Sequence, residues 1–291
     1  GGTAVLTASA PVSQTGVAKV ERLALMGTGS FVLDNASNEI THFASDATGN
    51  VNIVSSTATT IDMVNPTGVN TGNADFALTA ASIHLAEGID AGTGDVYLET
   101  TNSATGTITQ DAGESITSAG LAIKAVGNVT LADSANNVSK LAADLATDKT
   151  LTYRDVDGIS VANLTDIAVS GNSVSGIQVL GSASAVSLNL GGLLTQEIND
   201  ALIQLEGDLT IDTTRNTNAA DVSIKNTAVG GTELDSSIIA GNFVLSSNGN
   251  VTQTEVAGSQ GSSAIPERCS GKHCVNMCAY SSSCFRVNVA L

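Results

Sequence analysis

Residues 23–46, LALMGTGSFVLDNASNEITHFASD, align without a gap onto residues 121–144, LAIKAVGNVTLADSANNVSKLAAD, at an offset of 98. Seven positions are identical: Leu23 and Leu121, Ala24 and Ala122, Gly29 and Gly127, Leu33 and Leu131, Asn38 and Asn136, Ala44 and Ala142, Asp46 and Asp144. Where the copies differ, the apolar pattern survives, as in Leu25 with Ile123, Phe31 with Val129, Ile40 with Val138 and Phe43 with Leu141. A chain copied from itself is confined to architectures in which one unit packs on its like.

A shorter phrase recurs inside and beyond these copies: GNVNI from Gly49, ADFAL from Ala74, GDVYL from Gly94, GNVTL from Gly127, GDLTI from Gly207, ADVSI from Ala220 and GNFVL from Gly241. Its spacing is often near twenty, being 20 from Ala74 to Gly94 and 21 from Ala220 to Gly241. A second phrase, apolar then Thr or Ser then Gln, opens units at Val12-Ser13-Gln14, Ile108-Thr109-Gln110, Leu194-Thr195-Gln196 and Val251-Thr252-Gln253. Apolar residues alternate with polar ones between fences of Gly, Asn, Asp and Ser, the period-2 pattern of strands between turns. The best helical spacing, Ile198, Ala201, Leu202 and Leu205, lies between two strand phrases, and a strand is expected there too. Roughly twenty residues holding two or three short strands make one turn of a parallel β-helix, whose strands stack about 4.8 Å apart. About a dozen such turns would build a rod on the order of 60 Å long. The expected fold class is therefore all-β, a parallel β-helix (β-solenoid) over residues 1–258, followed by a short Cys-containing segment, 259–291.

The composition suits that reading. Hydrophobic residues make up 42%, enough for a core, yet aromatics are 3% and Trp is absent, so the bore must be filled by small and β-branched side chains. The net charge of −17 disfavours nucleic acid, whose phosphates need a basic surface. Residues 259–291 carry Arg268, Lys272 and Arg286 against Glu267, a net of +2, which leaves −19 for the rest. No window reaches the eighteen or so apolar residues of a membrane span, and the first thirty residues lack a signal peptide's pattern, so a mature or excised chain without membrane insertion is expected.

All four cysteines, Cys269, Cys274, Cys278 and Cys284, fall in the basic tail. In an exported protein they read as two disulfides, with three possible pairings within the chain. Bonds between chains, free thiols and a zinc site using His273 remain alternatives, as does a tail foreign to the rod. Asn38 and Asn136 sit where the chain must turn a corner; Asn tolerates left-handed backbone, and stacked turn Asn side chains can form a hydrogen-bonded ladder. Gly29, Gly127 and Gly207 precede strands and are expected to supply positive φ or a close approach between turns, not phosphate binding.

The units from Val12 and again from Ile108, with GNFVLSSNGNVTQ near the end, resemble the repeat regions of filamentous-haemagglutinin-type bacterial exoproteins over roughly residues 3–257. That resemblance implies a right-handed parallel β-helix in a secreted or surface-attached adhesin, fibre or display stalk. It implies no cofactor and no catalytic site. The amino-terminal secretion domain of that family has no visible counterpart here, and the cysteine segment lies outside its pattern.

Some β-helices cleave polysaccharides, and that chemistry needs paired carboxylates. The best pair is Asp155 and Asp157, beside Tyr153 and Arg154; the competing reading is a turn closed by Asp157-Gly158 before Ile159. No established nucleophile, metalloprotease, phosphate-loop or calcium-nonapeptide motif occurs. The histidines His42, His84 and His273 are scattered, and His42 aligns with Lys140, an exposed type of position. Loops at Ser55 to Gly72, with Pro66, and Asp212 to Ala219, with Arg215, break the regular spacing and are candidate recognition sites or tolerated insertions. Ice binding would need a sustained Thr-x-Thr array, and Thr-x-Thr occurs only in isolated places such as Thr57-Ala58-Thr59 and Thr107-Ile108-Thr109. The sequence favours a non-enzymatic extracellular structural protein that associates with itself end to end in a homopolymeric fibre. An adhesin binding a host or neighbouring-cell glycan or protein is the alternative, and a polysaccharide-degrading enzyme a remote one.

Overall fold

The computed structural model describes residues 2–104, 106–196 and 208–212, together with the strands Ile203–Leu205, Val222–Asn226, Phe243–Ser246, Val251–Glu255, Cys274–Ala279 and Ser283–Asn288. Among the described residues there is no helix, and 26 strands join one sheet that winds into a parallel β-solenoid. Gly207 and Cys269 lie outside the described residues, as does the loop 213–219.

Register ties each strand to the one a turn later. Ala24 faces Ala44, 20 residues on, while Ile83 faces Ile108, 25 residues on. The turn from Thr150 to Ala185 takes 35. Within each strand alternate side chains enter the bore, as the period of two requires. Phe31, Val51, Phe76, Val96, Leu121 and Leu141 form one inward file in successive register, all fully buried. Phe43 and Phe76 stack with ring centroids 5.9 Å apart. Each side chain of this size contributes roughly 1.5–3 kcal/mol by leaving water. Long files of Leu, Ile and Val therefore supply the stability that Trp and Tyr supply in rounder proteins.

The 98-residue repeat is larger than one turn, and it changes walls. The wall containing Lys19–Gly27 continues through Glu39–Ala47, Thr59–Ile61, Ile83–Leu85 and Ile108–Gln110 to Val129–Leu131. The other wall runs from Phe31–Leu33 through Val51–Val54, Phe76–Ala80 and Asp95–Thr100 to Ile116–Ala125. By sequence, however, Ile116–Ala125 is the copy of Lys19–Gly27, and Val129–Leu131 is the copy of Phe31–Leu33. From Gly120 on, the copy thus stands on the other wall, while Ile116–Thr117 still continue Leu25–Met26 through Ser45–Asp46, Val69–Asn70 and Ile89–Asp90. Both walls present the same apolar pattern to the bore, which makes the exchange tolerable.

In the tail, Cys274–Ala279 and Ser283–Asn288 pair antiparallel, and the register sets Cys278 opposite Cys284.

Candidate functional site

Asn38 and Asn136 are both fully buried, and each plugs a corner of the bore. The Asn38 amide donates from Nδ2 to the carbonyls of Leu33 (3.2 Å) and Val54 (3.1 Å), and its Oδ1 accepts the N–H of Ala18 (2.8 Å). Asn136 repeats this with the carbonyls of Leu131 (3.3 Å) and Arg154 (3.1 Å) and the N–H of Ile116 (2.8 Å). The two asparagines do not stack into a ladder. Each pairs instead with a glutamine of the preceding turn: Nδ2 donates to Gln14 Oε1 at 3.0 Å in one copy and to Gln110 Oε1 at 3.2 Å in the other. These glutamines are the third residues of the unit-opening phrases, whose role as partners the sequence reading did not assign. Their similar distance to the asparagine, 24 and 26 residues, was the available signal.

Gly29 and Gly127 act through close approach. A Cβ on Gly29 would run into the carbonyl of Ala10, and one on Gly127 would lie 2.6 Å from the carbonyl oxygen of Gly106. Neither has the left-handed φ found at Gly27 (106°) or Gly171 (97°).

Two outward arms interrupt the walls at equivalent points of the repeat. The first, residues 62–68, leaves after Ile61 opposite Phe43 and returns at Val69 opposite Ser45, so that Ala44 lies beneath its root. The second, residues 162–176, leaves after Val161 opposite Leu141 and returns at Ile177 opposite Ala143, with Ala142 beneath. Val64 of the first arm covers the outward methyls of Ala24 and Ala44. Leu164, Ile167 and Val174 of the second cover Ala77, Tyr97, Ala122 and Ala142. This accounts for two of the seven identities in the repeat: outward alanines are kept where a larger side chain would lift the arm. Gly120 continues the seat, since a Cβ there would lie 2.7 Å from Leu164 Cδ2. The second arm closes on itself through the antiparallel pair Asn163–Leu164 and Val174–Ser175. Its tip uses left-handed backbone at Asp166 and Ala168.

At the first arm, Asp62 accepts from His42 (Nδ1 to Oδ2, 2.8 Å) and lies 3.9 Å from the Arg22 guanidinium, which also donates to the Met63 carbonyl at 3.3 Å. His42 is therefore an anchor of the arm rather than a free exposed residue. His84 meets Thr109 Oγ1 at 3.0 Å and Asp111 Oδ2 at 3.5 Å, and His273 lies outside the described residues. Among the described residues no group of three or more His, Cys, Asp or Glu is placed to hold a metal ion. Thr109, Thr130, Thr152, Ser187 and Thr210 stand in register along one wall, in single file.

Asp155 and Asp157 adopt the turn arrangement. Asp155 is fully buried at the end of Thr150–Asp155, whereas Asp157 is exposed in the loop before Ile159–Val161. Asp155 Oδ1 accepts the Asp157 N–H at 3.0 Å, and its Oδ2 accepts from the Val138 N–H at 3.1 Å and the Tyr153 hydroxyl at 2.5 Å. Burial pushes the Asp155 carboxyl up to about 7, and burial beside Asp155 raises the Tyr153 hydroxyl well above its usual range. In the first copy Ser55 fills this corner, accepting the Ile40 N–H at 3.1 Å.

No protein-family model, curated protein or solved structure matches this chain.

Proposed function

We propose that the chain is a non-enzymatic extracellular structural protein, a β-solenoid subunit of a bacterial surface fibre of the filamentous-haemagglutinin kind. The supporting observation is the single apolar core that runs from Leu23 to Ile211 between parallel walls in continuous register. Such a core spends sequence on length. The charge split between an acidic body and a basic tail favours head-to-tail contact, which builds filaments when it does not close.

Electron microscopy of the untagged chain at neutral pH tests this reading. Fibres with a repeat near 4.8 Å are expected. Short isolated rods at all concentrations would overturn self-assembly.

The second reading is an adhesin, and the arms favour it: they are the irregular, outward segments of a regular rod, and Met63 of the first is 61% exposed. Saturable binding of the isolated rod to a glycan or cell-surface protein, lost on replacing residues 62–68 with a plain turn, would select it over a passive fibre.

A further inference from the structure

In a solenoid each turn touches only its neighbours, so stability is a sum of nearest-neighbour terms and the ends can open one turn at a time. The second arm departs from that rule. It is rooted above Leu141 and Ala143 and runs back along the wall, where the Ala168 N–H donates to Asp75 Oδ2 at 3.2 Å and Asn172 Nδ2 to Asn52 Oδ1 at 3.3 Å. Beneath it lie, in successive register, Asn137–Leu145, Ile116–Ala125, Asp95–Thr100, Phe76–Ala80 and Val51–Val54. Four steps of about 4.8 Å make a span of about 19 Å. The contacts that fasten it are apolar in the middle and polar at the tip, and they join residues of the first copy to residues of the second.

We propose that residues 162–176 are a staple that makes five successive turns open and close as one unit, holding the rod against turn-by-turn unwinding. The first arm, seated on Ala24 and Ala44 alone among the outward alanines, fastens two. The staple acts within one chain, so it stands whether or not the rod assembles.

Hydrogen exchange read by mass spectrometry tests it. In the parent chain, peptides covering the five strands should exchange in one correlated step. Replacing residues 163–175 with a short Gly-Asn turn should break the correlation, with amides of Val51–Val54 and Phe76–Ala80 exchanging at least tenfold faster than in the parent. Ile167→Ser, which keeps the chain length and removes the arm's apolar anchor, should shift the same peptides in the same direction and carries the test if the shortened chain does not fold. Circular dichroism showing parental strand content separates lost coupling from lost structure. Unchanged, still correlated exchange in either folded variant would overturn the staple.

Discussion

Replacing Asn136 with Leu keeps the branched four-atom shape of the side chain in the corner and removes every hydrogen bond of the amide, so the cost reports the lost bonds of the plug rather than a cavity. The buried Ile116 N–H loses the acceptor it has at 2.8 Å, and the carbonyls of Leu131 and Arg154 each lose a donor. A buried donor left without a partner costs about 1–3 kcal/mol, and carbonyls with a second lone pair cost less. Gln110 keeps two partners, because its Nε2 also donates to the Glu114 carbonyl and its Oε1 accepts the Asp133 N–H at 3.1 Å. The sum is about 3–5 kcal/mol, a large fraction of the 5–15 kcal/mol typical of a folded domain. Urea unfolding followed by circular dichroism at pH 7 measures it. The exposed neighbour Asn137 provides the control, and Asn137→Leu should stay within about 0.5 kcal/mol of the parent. The double variant Asn136→Leu with Gln110→Leu should cost less than the two singles together, because they share the bonds at 2.7 and 3.2 Å. A loss below about 1 kcal/mol for Asn136→Leu would refute the plug as a source of stability.

Leu131 is fully buried in the bore, and Leu131→Ala should cost about 2–5 kcal/mol in the same assay, because the stacked neighbours cannot collapse into the space; an unmoved midpoint would contradict its inward packing. Asp155 should make stability fall with pH. Its folded pKa of about 7 lies above the ordinary carboxyl value of 3.8, so the contribution is full below about pH 4 and is lost as pH rises through about 7, by up to about 4 kcal/mol. Asp155→Ser, which installs the residue of the equivalent Ser55 corner, should narrow the difference between urea midpoints at pH 4.5 and pH 8, and an identical pH profile in parent and variant would remove Asp155 as its source.

How much of this was legible follows from what a single strand can disclose. Period-2 alternation reports which side chain enters the bore, and it placed Leu23, Leu33, Leu121 and Leu131 correctly. The repeat also marked Asn38 and Asn136 as special, because a polar residue retained among apolar ones at a corner must have partners. Which partners was hidden: a ladder between the asparagines and a pair with glutamine 24 or 26 residues away both satisfy the local pattern, and register alone decides between them. Register also hid the exchange of walls, since a copy reads the same in sequence whichever wall it occupies. The second arm escaped notice for a different reason. Its 15 residues contain Leu164, Ile167 and Val174 at spacings that pass for another strand unit, and only the 35-residue interval between Thr150 and Ala185 marks the turn as overlong. The alanines were the better clue. Ala24, Ala44, Ala122 and Ala142 fall at outward positions, where selection for solubility alone would admit Thr, Ser or Lys, and a methyl kept there in both copies implies something lying on top of it. In a solenoid the inward pattern fixes the fold and is nearly blind to function, whereas a small side chain held on the outside is the position at which the rod is already in contact with something.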